Sequence, residues 1–291
     1  MSSTPHPESE FQEHLPPVLR DIILHKRREV AQRQAANPLE VVRAAALASS
    51  QPRNFFDAVT HRQFVADIAV IAEIKRMSPS AGLIRPEYAG DDFSPEDIAQ
   101  RYERAGARAI SCLTDERFFG GHLSFLKRVK NAVPLPVLRK DFIIDPWQLY
   151  ESRAAGADAV LLIAECLGEG ELIDLMILAH ELRLTVLLEV HSMENLLRVR
   201  PHVGFPHPSY TLLGINNRDL SSMHVDLNHT LRLLEVVEDR TILVSESGIK
   251  TRHDLDRLHA SGVKIVLVGE HLMRQPDPGA ALDTLLHGAR T

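Results

Sequence analysis

Ala69-Val70-Ile71-Ala72-Glu73-Ile74-Lys75 is an apolar run that closes on two ionisable residues of opposite charge. The pattern recurs down the chain. Leu135-Pro136-Val137-Leu138 runs into Arg139 and Lys140, Leu184 to Leu188 into Glu189, and Leu212 to Ile215 into Asn216. Ile242 to Val244 ends at Ser245-Glu246-Ser247-Gly248, and Ile265 to Val268 at Gly269-Glu270. Strands of a parallel sheet, covered on both faces, read as continuous apolar runs, and functional residues collect where such strands end. Several strand ends that each deliver a lysine, a carboxylate or an amide imply one shared site.

Working outward from these runs, strands are expected near 69–75, 108–113, 135–140, 158–164, 184–190, 211–216, 241–246 and 264–269. Amphipathic stretches follow them, among them Pro95 to Ala105, Pro146 to Ala155 and Arg252 to Ser261. Eight strand–helix repeats match an α/β fold of the (β/α)8 TIM barrel type, whose usual length is about 250 residues. A doubly wound sheet would need fewer strands and usually a G-x-G-x-x-G first turn, which the sequence lacks. Before the first strand, Leu15, Val18, Leu19, Ile22 and Ile23 fall on one helical face, and Pro38 introduces an alanine-rich helix over Leu39 to Leu47. The expected organisation is a disordered tail over 1–16, then one barrel domain over 17–291 that includes a helical extension at 17–68. Two loops are long: Arg76 to Phe93, long enough for a lid, and His202 to Tyr210, read as a surface insertion without function.

Composition narrows the function classes. The 291 residues carry a net charge of −6, with 33 dispersed Lys and Arg, so no basic patch calls for nucleic acid. No apolar stretch approaches the ~20 residues of a membrane span, and Met1 to Pro17 has no signal-peptide core. A cytoplasmic location follows as the expectation. Cys112 and Cys166 lie in or beside apolar runs and read as buried free thiols. Of the 15 histidines no pair has ligand spacing on a helix; His191 and His271, near strand ends, stand alone and read as surface or loop histidines, so no metal is expected.

Glu73 and Lys75 are two apart and share a face of their strand, which in a barrel is the lumen. Alone they could be a structural salt bridge. Together with Lys140, Glu189 and Glu246 they put two lysines and three carboxylates at one mouth, where mixed charges shift one another's pKa values and create acids and bases. Gly248 and Gly269, after strands seven and eight, stand where barrels bind phosphate through backbone N–H groups. Ser247 adds a hydroxyl and Ser78 could reach the same group, while the Glu270 side chain should point away and only its N–H contribute. Tight turns alone would also account for the two glycines.

These residues resemble the indole-3-glycerol-phosphate synthase family. Glu73-Ile74-Lys75-Arg76-Met77-Ser78-Pro79-Ser80 is similar to its E-x-K-x-x-S-P-S segment, and Pro136-Val137-Leu138-Arg139-Lys140-Asp141-Phe142 to P-[VI]-L-x-K-D-F. Gly214-Ile215-Asn216-Asn217-Arg218-Asp219-Leu220 resembles G-I-N-x-R-D-L, and Ser245-Glu246-Ser247-Gly248-Ile249 and Leu267-Val268-Gly269-Glu270 complete the set in order. The likeness runs from about residue 18 onward, and no second barrel follows, as in the monofunctional form. It implies conversion of 1-(2-carboxyphenylamino)-1-deoxyribulose 5-phosphate to indole-3-glycerol phosphate in tryptophan biosynthesis, releasing carbon dioxide and water without a cofactor.

In that reading Lys140 matches the lysine that protonates the ketone oxygen, and Lys75 and Glu189 match the acid and base of dehydration. Glu73 positions Lys75, Asn216 holds a reacting hydroxyl, and Arg218 either holds the anthranilate carboxylate or braces the site. Phe119, Phe142 and Leu220 wall the aromatic ring, and Glu246 with Ser78 contacts substrate. Ser247, Gly248, Gly269 and Glu270 hold the phosphate. The implied partner is a phosphorylated small molecule, with no nucleic acid or membrane, and a monomer is compatible with the sequence. A phosphoribosylanthranilate isomerase would instead need a cysteine–aspartate pair near strands one and five, where Glu73, Lys75 and Glu189 stand. A silent scaffold barrel would have an eroded charge set.

Overall fold

The computed structural model describes residues 15–61, 68–90 and 93–288. The expected disordered tail, except for its last two residues, lies outside them. Three helices come first: α1 (Pro17–Ala36), α2 (Leu39–Ala48) and α3 (Phe55–Thr60). The third was not anticipated from sequence; Asn54 caps it by accepting from the Asp57 N–H. Eight strands follow, β1 (Ala69–Ile74), β2 (Ala109–Leu113), β3 (Val137–Lys140), β4 (Ala159–Ile163), β5 (Thr185–Val190), β6 (Thr211–Asn216), β7 (Leu243–Glu246) and β8 (Ile265–Val268). They form a closed barrel in which β1 pairs in parallel with both β2 and β8. The expected (β/α)8 fold is therefore the observed one. Strands begin up to two residues later than expected, as at β7, where Arg240–Ile242 makes a 3-10 turn instead.

Local chemistry explains where the outer helices start. Ser94-Pro95, Asp145-Pro146 and Asp277-Pro278 each place a capping oxygen ahead of a proline whose missing N–H costs nothing at a first helical position. The barrel strands are buried along almost their whole length, the lumen on one face and the helix layer on the other.

The α1 helix lies on the barrel through a stripe of Leu19, Ile22, Ile23, Lys26 and Val30, the spacing of one helical face. Lys26 is the surprise in it. Its ammonium is 1 % exposed and stands 2.9 Å from each of Asp115, Asp141 and Glu29. Burial opposes its charge, but these carboxylates outweigh it and hold the lysine above its ordinary value. Asp141 in turn is held below the usual carboxylate range by Lys26 and Arg139, against its own burial. One charged cluster thus pins the N-terminal helix to the loops after β2 and β3. The long loop after β1 is partly regular: Met77–Ser78 pairs antiparallel with Gly82–Leu83, and Pro86–Ala89 forms a 3-10 turn.

Candidate active site

The strand ends open into a cavity of about 490 Å³. Because side chains alternate across a strand, residues adjacent in sequence part company here. Lys140 lines the cavity, whereas Arg139 is buried in the helix layer, bonded to Glu151 at 2.8 Å, Ser152 at 3.0 Å and Asp141 at 3.1 Å. Asn216 lines it, whereas Asn217 turns outward to Ser245 and Thr230 and donates to the Ser247 carbonyl at 3.1 Å.

Two ion-pair clusters occupy the floor. Lys75 Nζ stands 2.6 Å from Glu73 Oε1. Lys140 Nζ stands 2.7 Å from Glu189 Oε2 and 3.2 Å from Glu246 Oε2. Burial acts against the Lys140 ammonium, but the carboxylates of Glu189, Glu246 and Glu73 prevail and raise its pKa. Glu189 feels the same burial, yet Lys140 and His191 bring it down to about 2. Glu246 goes the other way: burial and the charge of Glu189 raise it well above the carboxylate range. Two carboxylates held beside one ammonium repel each other, and the repulsion falls on Glu246.

The glycines at the strand ends make room rather than only turns. A Cβ on Gly269 would lie 2.2 Å from Glu73 Oε1, and one on Gly214 would lie 2.4 Å from Glu246 Oε1. Both positions must be bare for the carboxylates to sit where they do. Gly248 adds a second reason: a Cβ there would lie 2.8 Å from Val225, and its φ of +84° follows Ser247 at +67°, a left-handed pair that reverses the chain after β7. Asn217 braces that reversal through the Ser247 carbonyl.

Phe119 and Phe142 line the cavity with ring centroids 6.0 Å apart, and Leu220 joins them. Ser78 lines it too, but its hydroxyl accepts from the Ala81 N–H at 3.2 Å and lies 3.3 Å from Ser80 Oγ, so it braces its own loop. Arg218 reaches Ser80 Oγ at 3.3 Å and Glu270 Oε2 at 3.1 Å. Glu270 lines the cavity, and its carboxylate pairs with Arg218 and, at 2.8 Å, with Arg274. It does so because two guanidinium groups flank the short helix it begins.

Some lining residues were not anticipated. Val18, Leu19 and Ile22 of α1 close the apolar side of the cavity; their amphipathic face was legible, its destination was not. His191, read as a surface or loop histidine, lies in the loop after β5, but its side chain is not at the surface: it is 7 % exposed between Glu165 and Glu189. Glu165 escaped notice because nothing local marks it. Among the described residues no group of three or more His, Cys, Asp or Glu could hold a metal ion, and no helix is long and apolar enough to cross a membrane.

A family model, that of indole-3-glycerol phosphate synthase, matches residues 19–285. The chain belongs to this family. Proteins named indole-3-glycerol phosphate synthase from Rhodospirillum rubrum and Rhodopirellula baltica are each 46% identical to it over 269 residues, 92% of this chain and 98% of theirs. A solved 3-hexulose-6-phosphate synthase from Salmonella typhimurium superposes with a TM-score of 0.56 at 15% identity, covering 75% of this chain and 98% of that one, a likeness of fold alone. For a member of the indole-3-glycerol phosphate synthase family the match includes α1 almost from its start, so the helix that walls the cavity is part of the shared unit.

Proposed function

We propose that this chain closes the pyrrole ring of 1-(2-carboxyphenylamino)-1-deoxyribulose 5-phosphate, releasing carbon dioxide and water to give indole-3-glycerol phosphate. The observation that carries the reading is the Lys140 ammonium between Glu189 and Glu246, facing a cavity with apolar walls on one side and the Ser247-Gly248 turn on the other. Lys140 begins protonated, the state an acid needs, and yields its proton to the alkoxide that forms when the ring carbon bearing the carboxylate attacks the ketone. Loss of carbon dioxide returns a bonding pair to the ring. Lys75, set by Glu73, then protonates the departing hydroxyl while Glu189 removes a proton from the carbon beside the nitrogen, and Asn216 steadies the hydroxyl.

Phe119, Phe142 and Leu220 would flank the aromatic ring and exclude water, which strengthens the charges within. Arg218 suits the anthranilate carboxylate. Ser247, Gly248, Gly269 and Glu270 suit the phosphate through backbone N–H groups, since the first turn of the helix at Glu270 has no preceding turn to donate to. Glu246 can hydrogen-bond a substrate hydroxyl, and Ser78 braces the loop after β1 at the rim of the cavity. Buried free thiols at Cys112 and Cys166 suit a reducing cytoplasm.

Incubation with the carboxyphenylamino-deoxyribulose phosphate should produce indole fluorescence. Lys140→Ala should abolish turnover with substrate binding largely kept. No product from folded wild type would overturn the assignment, and full activity of the variant would remove Lys140 from the chemistry.

A further inference from the structure

Glu189 is gripped from two sides, and only one of them is Lys140. On the other stands His191, two residues further along β5 and on past its end. Its Nδ1 lies 3.2 Å from Glu165 Oε2, and its backbone N–H donates to Glu165 Oε1 at 2.8 Å. Its Nε2 is 3.2 Å from Glu189 Oε1, buried, and without a formed hydrogen bond. Glu189 Oε1 also accepts from Asn216 Nδ2 at 3.3 Å. The barrel brings the two together: β4 and β5 pair with Ile163 against Glu189, and Glu165 follows in the 3-10 turn Ala164–Cys166 just past β4.

A buried imidazole between two carboxylates is not a packing residue. Leaving a buried Nε2 unbonded costs free energy, and a histidine held only for shape would be replaced without loss by an apolar side chain. An imidazolium in the same place meets one carboxylate on each nitrogen. Hydrogen bonds at catalytic groups are often loose before substrate arrives and tighten with it.

We propose that His191 is a positioning residue for the reaction: as an imidazolium anchored by Glu165, it holds Glu189 charged and fixes the rotation of its carboxylate. This rests on the role of Glu189 as the base given above. The groups facing the ring are Glu165 after β4, Glu189 on β5, Lys140 on β3, Asp219 after β6 and His229 on the helix Asn228–Leu233. Burial and Lys140 oppose protonation of the ring. The hydrogen bond the ring donates to Glu165 and the charges of Glu189 and Glu165 outweigh them, and His191 titrates above its ordinary value.

Removing an opposite charge at this distance raises a carboxyl pKa by about one unit or more. The acid limb of the rate profile for His191→Gln should therefore move up by about one pH unit, with kcat lowered and KM little changed. Glu165→Gln, which does not touch the cavity, should move the same limb in the same direction by less. A folded His191→Gln protein with the wild-type acid limb overturns the proposal, and if that variant does not fold, an unmoved limb in Glu165→Gln does so. A second measurement needs no turnover. The His191 ring, followed by NMR, should titrate at lower pH in Glu189→Gln than in wild type, and equal midpoints would overturn the pairing. Absence of product from wild type would instead sink the assigned reaction, leaving the NMR titration to judge the pair.

Discussion

Lys26 Nζ stands 2.9 Å from Asp141 Oδ1, and Asp141 directly follows Lys140. A residue on the first helix is thereby tied to the backbone that carries the proposed acid, across more than a hundred residues of sequence. The same ammonium reaches Asp115, which caps the short helix ending at Phe119. One buried charge couples the helix that walls the cavity to the loops bearing both phenylalanines.

Lys26→Met should be among the most damaging changes outside the lumen. It takes the cation from the buried Asp115 and leaves Asp141 with Arg139 alone, a loss worth about 3–5 kcal/mol. Urea denaturation should report that drop. KM should rise as well, because Val18, Leu19 and Ile22 ride on the same helix. Unaltered stability would mean that the cluster contributes nothing net.

The pH dependence of stability has a defined shape. Asp141 is held low, so its contribution is present above its unfolded value of about 4 and is lost as pH falls through the folded one. Lys26 is held high, so its contribution is present below its unfolded value of about 10 and is lost as pH rises through the folded one. The stability gap between wild type and Lys26→Met should therefore be widest between about pH 4 and 10 and narrow on either side. Urea midpoints measured across pH would test this, and a gap constant at all pH values would contradict it.

Gly269→Ala places a methyl where Glu73 Oε1 now lies. Overpacking of this kind costs about 1–3 kcal/mol. The carboxylate must swing off Lys75, so kcat should fall by more than the change in stability explains. Steady-state rates beside thermal melts would separate the two effects, and a fully active variant would show that Glu73 does not set Lys75.

Arg218 joins the loop after β1 to the β8 end through Ser80 and Glu270. Arg218→Lys keeps the charge but loses the fork of donors. One charge-assisted hydrogen bond is worth about 1.5–3 kcal/mol, so KM should rise about tenfold or more. An unchanged KM would take Arg218 out of substrate binding.

The sequence alone was enough for the barrel and for much of its mouth, because both depend on local rules. Apolar runs at 69–74, 185–190 and 265–268 mark strands without reference to anything distant, and the two-residue period puts Glu73 and Lys75 on one face. Closure of the barrel decided the rest. His191 meets Glu165 only because β4 and β5 run side by side, which sets the 3-10 turn after β4 against the end of β5. Lys26 finds Asp115 and Asp141 only when α1 folds back across the strand ends. The bareness of Gly269 has a reason only once Glu73 fills the space beside it, on the far side of the β1–β8 seam. The tertiary structure alone decided which charges came to face each other, because a buried charge is tolerable only beside its partner, and these partners are distant in the chain.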